Sequence, residues 1–287
     1  MKRMSALGSR QIGAVGLGLA AFLVAAHAYA ADTSAWDGDA RSAVRLIAGD
    51  AKSVPDTPLR AGIEIRVAPG WKTYWRYPGD SGVPPRFDFA GSTNLKQATV
   101  LWPTPHRFAD GSGQSIGYSA GVLFPLRLQA QDSTKPVALR LKIEYAICEK
   151  LCVPAEASVA LELPMEATSS TTEALAAAEA RVPKPAVVGD SAPLAVRSVH
   201  EEPGARFTRV IVDVAAPEGE PVDLFAEGPS PEWALPVPMP IAGAPAGLRR
   251  FGFDLDGLPP GANPHGAELT LTAGAGSAAI EVKTKLE

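Results

Sequence analysis

The sequence predicts an all-β protein: two antiparallel β-sandwich domains joined by a short helical linker. Three observations carry this reading. Glycine and proline number 27 each, scattered as punctuation between short runs. Those runs are rich in β-branched residues and alternate apolar with polar, the period of a half-buried strand. One Ala-rich stretch, Thr171–Pro185, breaks the pattern near the middle of the chain.

The elements follow in order. Lys2, Arg3 and Arg10 precede an uncharged apolar run from Ile12 to Ala26, and Ala28 and Ala30 place small residues before Ala31. This is the pattern of a cleaved secretory signal over residues 1–30. The competing reading, a retained anchor, is disfavoured because the run falls short of the roughly 20 residues of a membrane span. Cleavage removes three basic and no acidic residues, so the formal charge of −4 becomes −7 on the remaining 257 residues. An acidic exported chain does not point to nucleic acid or an anionic membrane surface as partner, and its length suits two domains.

In the first half, 31–165, Ala61–Gly70, Ala98–Pro103, Gly121–Ala130, Val137–Ile147 and Ala157–Pro164 read as strands. Leu139, Leu141, Ile143 and Tyr145 alternate with Arg140, Lys142 and Glu144, which predicts one buried and one wet face. Thr171–Pro185 has no β-branched residue between Thr172 and Val182 and reads as a helix ending before Pro183, inside a linker of 166–190. The second half, 191–287, returns to strand texture. Val210, Val212 and Val214 share a face there, although Ile211 spoils the polar side. It holds no cysteine and no catalytic constellation.

Cys148 and Cys152 are the only cysteines, in "YAICEKLCVPAE". Two are too few for a disulfide-dense scaffold. A bond enclosing three residues constrains the unfolded chain little, because that stabilisation grows with loop length. On a straight strand they stand roughly 13 Å apart at about 3.3 Å per residue. A disulfide needs Cα atoms within about 7 Å. If they bond, the chain turns within "CEKLC", at the mouth of a hairpin, and a bond in so tight a loop is of the labile kind. Three readings stay open: a structural staple, a redox pair, or a Cu(I) or zinc clip helped by His106, the last weakened by too few further ligands. Among other residues, His106 by itself is a surface histidine, Phe108 a core phenylalanine, Tyr118 and Tyr145 either line a thiol pocket or pack, and Trp71, Tyr74, Trp75 and Trp102 are core or rim aromatics. Asp80 and Asp88 read as turn residues.

"YAICEKLCVPAEASVALELP", "VLWPTPHRFADGSGQSIGYSAGVLFPLRL" and "GWKTYWRYPGDSGVPPRFDF" resemble the redox hairpin, the strand–cap–strand segment and the early strand and turn of the DsbD N-terminal family, over about residues 40–165. The short C-x3-C spacing and "GWKTYWR" are closer to its stand-alone and ScsB-type members. The resemblance implies an immunoglobulin-like module with two redox cysteines and no diffusible cofactor. Electrons would arrive from a thioredoxin-like domain of a membrane disulfide reductase and leave to periplasmic disulfide proteins. Cys152 would form the mixed disulfide and Cys148 resolve it. A cap of about His106–Gly113 would shield the pair, with Phe108 as its aromatic; Arg107, Asp110, Tyr118 and Tyr145 belong to the same neighbourhood. The family's best-known members have C-x5-C and acidic residues before the cap aromatic. Here His106 and Arg107 stand there, and if they approach Cys152 they favour its thiolate. The alternative function is a non-enzymatic immunoglobulin-like binding or copper-handling module with a structural disulfide.

Overall fold

The computed structural model describes residues 31–51, 57–80, 82–110 and 113–287. The expected signal segment lies outside the described residues. The first half runs β1 (Asp37–Gly38), β2 (Ser42–Ala48), β3 (Leu59–Val67), β4 (Lys72–Gly79), β5 (Arg86–Asp88) and β6 (Leu95–Val100). It continues with β7 (His106–Asp110), β8 (Gly113–Tyr118), β9 (Val122–Ala130), β10 (Val137–Cys148) and β11 (Cys152–Leu163). After helix α1 (Thr172–Ala180) come β12 (Lys184–Ala186), β13 (Ala195–Pro203), β14 (Thr208–Ala215) and β15 (Val222–Glu227). The last strands are β16 (Met239–Pro240), β17 (Leu248–Asp254), β18 (Glu268–Ala275) and β19 (Ala278–Lys285).

Each half is built on two sheets. In the first they are β1-β2-β3-β9-β6 and β11-β10-β4-β8-β7, with β5 also paired to β10. Their inner faces share one core, which includes Leu46, Ile63, Phe124 and Leu126 from one sheet and Trp75, Ile116, Leu141 and Ile143 from the other. Phe87, Trp102, Tyr118 and Phe124 meet edge to face at 4.9–5.8 Å, the offset geometry that ring quadrupoles favour. In the second half the sheets are β12-β19-β18-β15 and β13-β14-β17-β16.

Among the described residues all the strand pairs are antiparallel except one. β12 runs parallel to β19 (Lys184↔Ile280, Ala186↔Val282), which corrects the wholly antiparallel expectation. Parallel neighbours need a long crossover, and the whole of 187–277 supplies it. Pro185 in β12 has no N–H to donate and so belongs on the edge strand it occupies. The imperfect alternation of β14 also has a cause. Val210, Val212 and Val214 enter the core, while Ile211 is buried on the opposite face. On that face Arg250 donates to both oxygens of the buried Asp213 at 2.8 Å.

The halves pack against each other. Trp75 of β4 packs at a tilt against Phe225 of β15 with ring centroids 5.6 Å apart, and Phe225 and Val237 belong to the first core. The guanidinium of Arg76 bridges Glu227 (2.7 Å) and Glu281 (2.6 Å), and the Tyr77 hydroxyl donates to the Leu235 carbonyl. Helix α1 is docked rather than free. Leu175 is fully buried, and Glu179 accepts from Arg60 of β3 (2.8 Å) and Arg127 of β9 (2.5 Å).

Candidate functional site: the Cys148–Cys152 hairpin

The register of β10 and β11 is unbroken from Val137↔Leu163 to Cys148↔Cys152, so the cysteines are the last directly opposed pair. They are joined as a disulfide, with Cα atoms 4.1 Å apart. That spacing is near that of a non-hydrogen-bonded antiparallel pair, which brings side chains closest. Glu149, Lys150 and Leu151 make the turn, all exposed, with Leu151 80% accessible at the tip.

Along β10 the period of two holds as far as Tyr145. Then Tyr145, Ala146, Ile147 and Cys148 are all buried. Ala146 and Cys148 lie on the face opposite the core, so their burial means that this face is covered here. Together with Tyr74 they form a separate small cluster. The two sulfurs are therefore unequal: Cys148 is 1% exposed, whereas Cys152 is an exposed residue on an edge strand.

β4 supplies the lining. Lys72 is the Cα partner of Cys148, and Thr73 of Ile147. The Tyr74 hydroxyl lies 3.0 Å from Cys152 Sγ; a disulfide sulfur carries no proton, so the phenol donates. Two glycines permit this packing. A Cβ on Gly82 would come within 2.6 Å of the Tyr74 ring, and one on Gly117 within 2.1 Å of the Thr73 carbonyl oxygen. "GWKTYWR" thus contributes two neighbours of the disulfide, Lys72 and Tyr74, and reading Tyr74 as a packing aromatic missed its contact with sulfur.

The segment expected to act as a cap is part of a two-stranded hairpin. β7 pairs with β8 as His106↔Gly117, Arg107↔Ile116 and Phe108↔Ser115. The Gln114 N–H donates to Asp80 Oδ2 at 2.7 Å, so Asp80 anchors the hairpin. Asp110 ends β7 opposite Gly113; its side chain and residues 111–112 lie outside the described residues. The ring of Phe108 receives the Lys72 ammonium 4.6 Å from its centroid, a cation–π contact that joins the cap to the strand beside Cys148.

The remaining residues named from sequence lie elsewhere. Arg107 faces the second half: Nη2 donates to the Leu224 carbonyl at 3.1 Å, Nη1 reaches Met239 Sδ at 3.3 Å and Nε stands 3.2 Å from Asp223 Oδ1. The Nε contact is an ion pair by distance without hydrogen-bond alignment. Its charge is thus directed at Asp223, while Lys72 lies at the cysteine end of the sheet. His106 is exposed and lines a cleft between the halves with Thr104, Arg181 and Asp223. Tyr118 and Tyr145 point into the core, their hydroxyls bonded to the Pro103 carbonyl (2.7 Å) and Ser42 Oγ (2.9 Å). Burial raises the pKa of both, Tyr118 well above the ordinary phenol value. No group of three or more His, Cys, Asp or Glu side chains is arranged to hold a metal among the described residues. No helix among them is long and apolar enough to cross a membrane.

Residues 43–164 match the family described as thiol:disulfide interchange protein DsbD, N-terminal. The crystal structure of the N-terminal periplasmic domain of ScsB from Proteus mirabilis superimposes with a TM-score of 0.68 at 20% identity, covering 89% of this chain and 98% of that one. That coverage is too large to come from the first half alone, so the common fold includes the second. No curated protein sequence matches the chain.

Proposed function

Because residues 43–164 match the DsbD N-terminal family, we propose that Cys148–Cys152 is a working redox disulfide in an exported thiol–disulfide relay. The observation that carries this is the inequality of the sulfurs, one buried beneath Tyr74 and one exposed at the sheet edge. A thiolate from a thioredoxin-like domain of a membrane reductase attacks Cys152 Sγ. The Cys148–Cys152 bond breaks, Cys148 leaves as a thiolate and takes a proton, and Cys152 is held in a mixed disulfide. The partner's second thiolate attacks its own bonded sulfur and releases Cys152. Two electrons have then passed to the pair, and the partner has become a disulfide. In the forward half-reaction the Cys152 thiolate attacks a periplasmic disulfide protein, and Cys148, next to it across the hairpin, resolves that intermediate.

Tyr74 supports this division of roles, since a donor 3.0 Å from Cys152 Sγ stabilises negative charge on that sulfur. Phe108 over Lys72 is the cap contact. We read each two-sheet half as an immunoglobulin-like sandwich: 31–165 as the redox unit, 166–190 as connector and 191–287 as a second unit that shares its core.

Trapping tests the reading. In Cys148→Ala, incubation with a thioredoxin that lacks its resolving cysteine and carries thionitrobenzoate in disulfide linkage on the remaining one should accumulate a mixed disulfide through Cys152, with thionitrobenzoate as the leaving group. Accumulation in Cys152→Ala instead reverses the roles. A reduction potential below about −300 mV, with no transfer from thioredoxin, would make the bond a structural staple.

A further inference from the structure

The two strands that carry the disulfide's neighbours also carry the contacts to the second half, one residue along. On β4, Tyr74 touches Cys152 while Trp75, Arg76 and Tyr77 engage Phe225, Glu227, Glu281 and Leu235. On β7, Phe108 sits over Lys72 while Arg107 engages Asp223, Leu224 and Met239. β7 is the outermost strand of its sheet and has only β8 as a backbone neighbour. An edge strand so placed is held by its side chains, and those of Arg107 are 15% exposed and directed wholly at the second half.

We propose that Arg107 is a positioning residue through which the second half holds the β7–β8 hairpin, and with it Phe108, in place over Lys72, the strand partner of Cys148. The proposal deepens the exchange reading above and rests on it. A protein partner that reaches Cys152 must also settle on the surface around it, and on the β4 side that surface is the exposed Gly82, which covers the buried Tyr74 ring, and Phe108 over Lys72. Moving the cap aside requires breaking the Arg107 contacts. The second half thereby sets how readily a partner docks, while the intrinsic chemistry of the exposed sulfur stays as it is.

The test uses the full chain with Arg107→Gln, Phe108→Ala, their combination, and Asp223→Asn as a milder variant should Arg107→Gln fold poorly. The second-order rate of disulfide reduction by reduced thioredoxin is followed beside the rate with dithiothreitol. Arg107→Gln should raise the thioredoxin rate about fivefold or more and leave the dithiothreitol rate within about twofold. The gain should vanish in the Phe108→Ala background, because residues acting as one unit are non-additive. An unchanged thioredoxin rate, or the same factor in both backgrounds, overturns the proposal. If the disulfide resists thioredoxin in every variant, the exchange reading fails, and the brace is judged by amide exchange. Residues 106–110 and 113–118 should then exchange faster in Arg107→Gln than in the wild type, and equal protection overturns it.

Discussion

At the disulfide, three residues of β4 and β7 do what the cysteines alone cannot. Tyr74 donates to Cys152 Sγ, Lys72 lies across from Cys148, and Phe108 closes on Lys72. A hydrogen bond to a charged group is worth about 1.5–3 kcal/mol, and one pKa unit is about 1.4 kcal/mol. Tyr74→Phe should therefore raise the lower apparent pKa of the reduced pair by about 1–2, read from thiolate absorbance. The value belongs to the coupled pair rather than to one sulfur. No rise would mean that the phenol does not face the thiolate. The two cysteines and the turn between them were legible in the sequence, because only a reversal brings residues four apart into bonding range. Tyr74 was not: an aromatic in an alternating strand reads as core, and the second cover over this face comes from a different stretch of chain.

Among the elements, α1 shows how a connector becomes part of a unit. Its Ala-rich sequence and the proline after it make the helix readable, but its docking depends on Glu179 meeting Arg60 and Arg127 from two strands far away in sequence. Burial by itself would raise the Glu179 carboxyl; the hydrogen bonds and charges of the two arginines outweigh it and hold the pKa below its ordinary 4.5. A depressed folded-state pKa contributes stability above the unfolded value, and that stability is lost as pH falls through the folded one. Helix docking should therefore weaken below about pH 4.5, and Glu179→Gln should flatten that limb of the stability curve. Denaturant titrations at pH 3.5 and 7 check it; an identical acid dependence in the variant would contradict the assignment. The hairpin of β10 and β11 was the most legible element. Its period of two is a local property, and it fails at Ala146, where a covering cluster begins.

The whole molecule couples its halves through hydrophobic contact as well as charge. Phe225 lies against Trp75 in the first core although it comes from β15. Truncating a buried phenylalanine costs about 3–5 kcal/mol. Phe225→Ala should lower the unfolding free energy by that order, and because the residue belongs to both halves, β10 amides in the first half should lose protection too. Loss confined to the second half would show that the halves are energetically separate. The β7–β8 hairpin is braced at this scale as well, from Asp80 within its own sheet and from Asp223 and Leu224 across the interface.

By itself the sequence determined the strand-rich architecture, the helix and its stop, and the reversal that the cysteines need in order to bond. Each rests on spacing, alternation or proline and glycine chemistry within a few residues. Tertiary structure alone decided that Cys148 is buried while Cys152 is exposed, that Tyr74 rather than Tyr118 or Tyr145 reaches the sulfur, that β12 runs parallel to β19, and that Arg107 turns to the second half. These are meetings of segments distant in the chain. No local pattern encodes which faces come together, because the partners that bury a face or neutralise a charge are supplied only when the sheets pack.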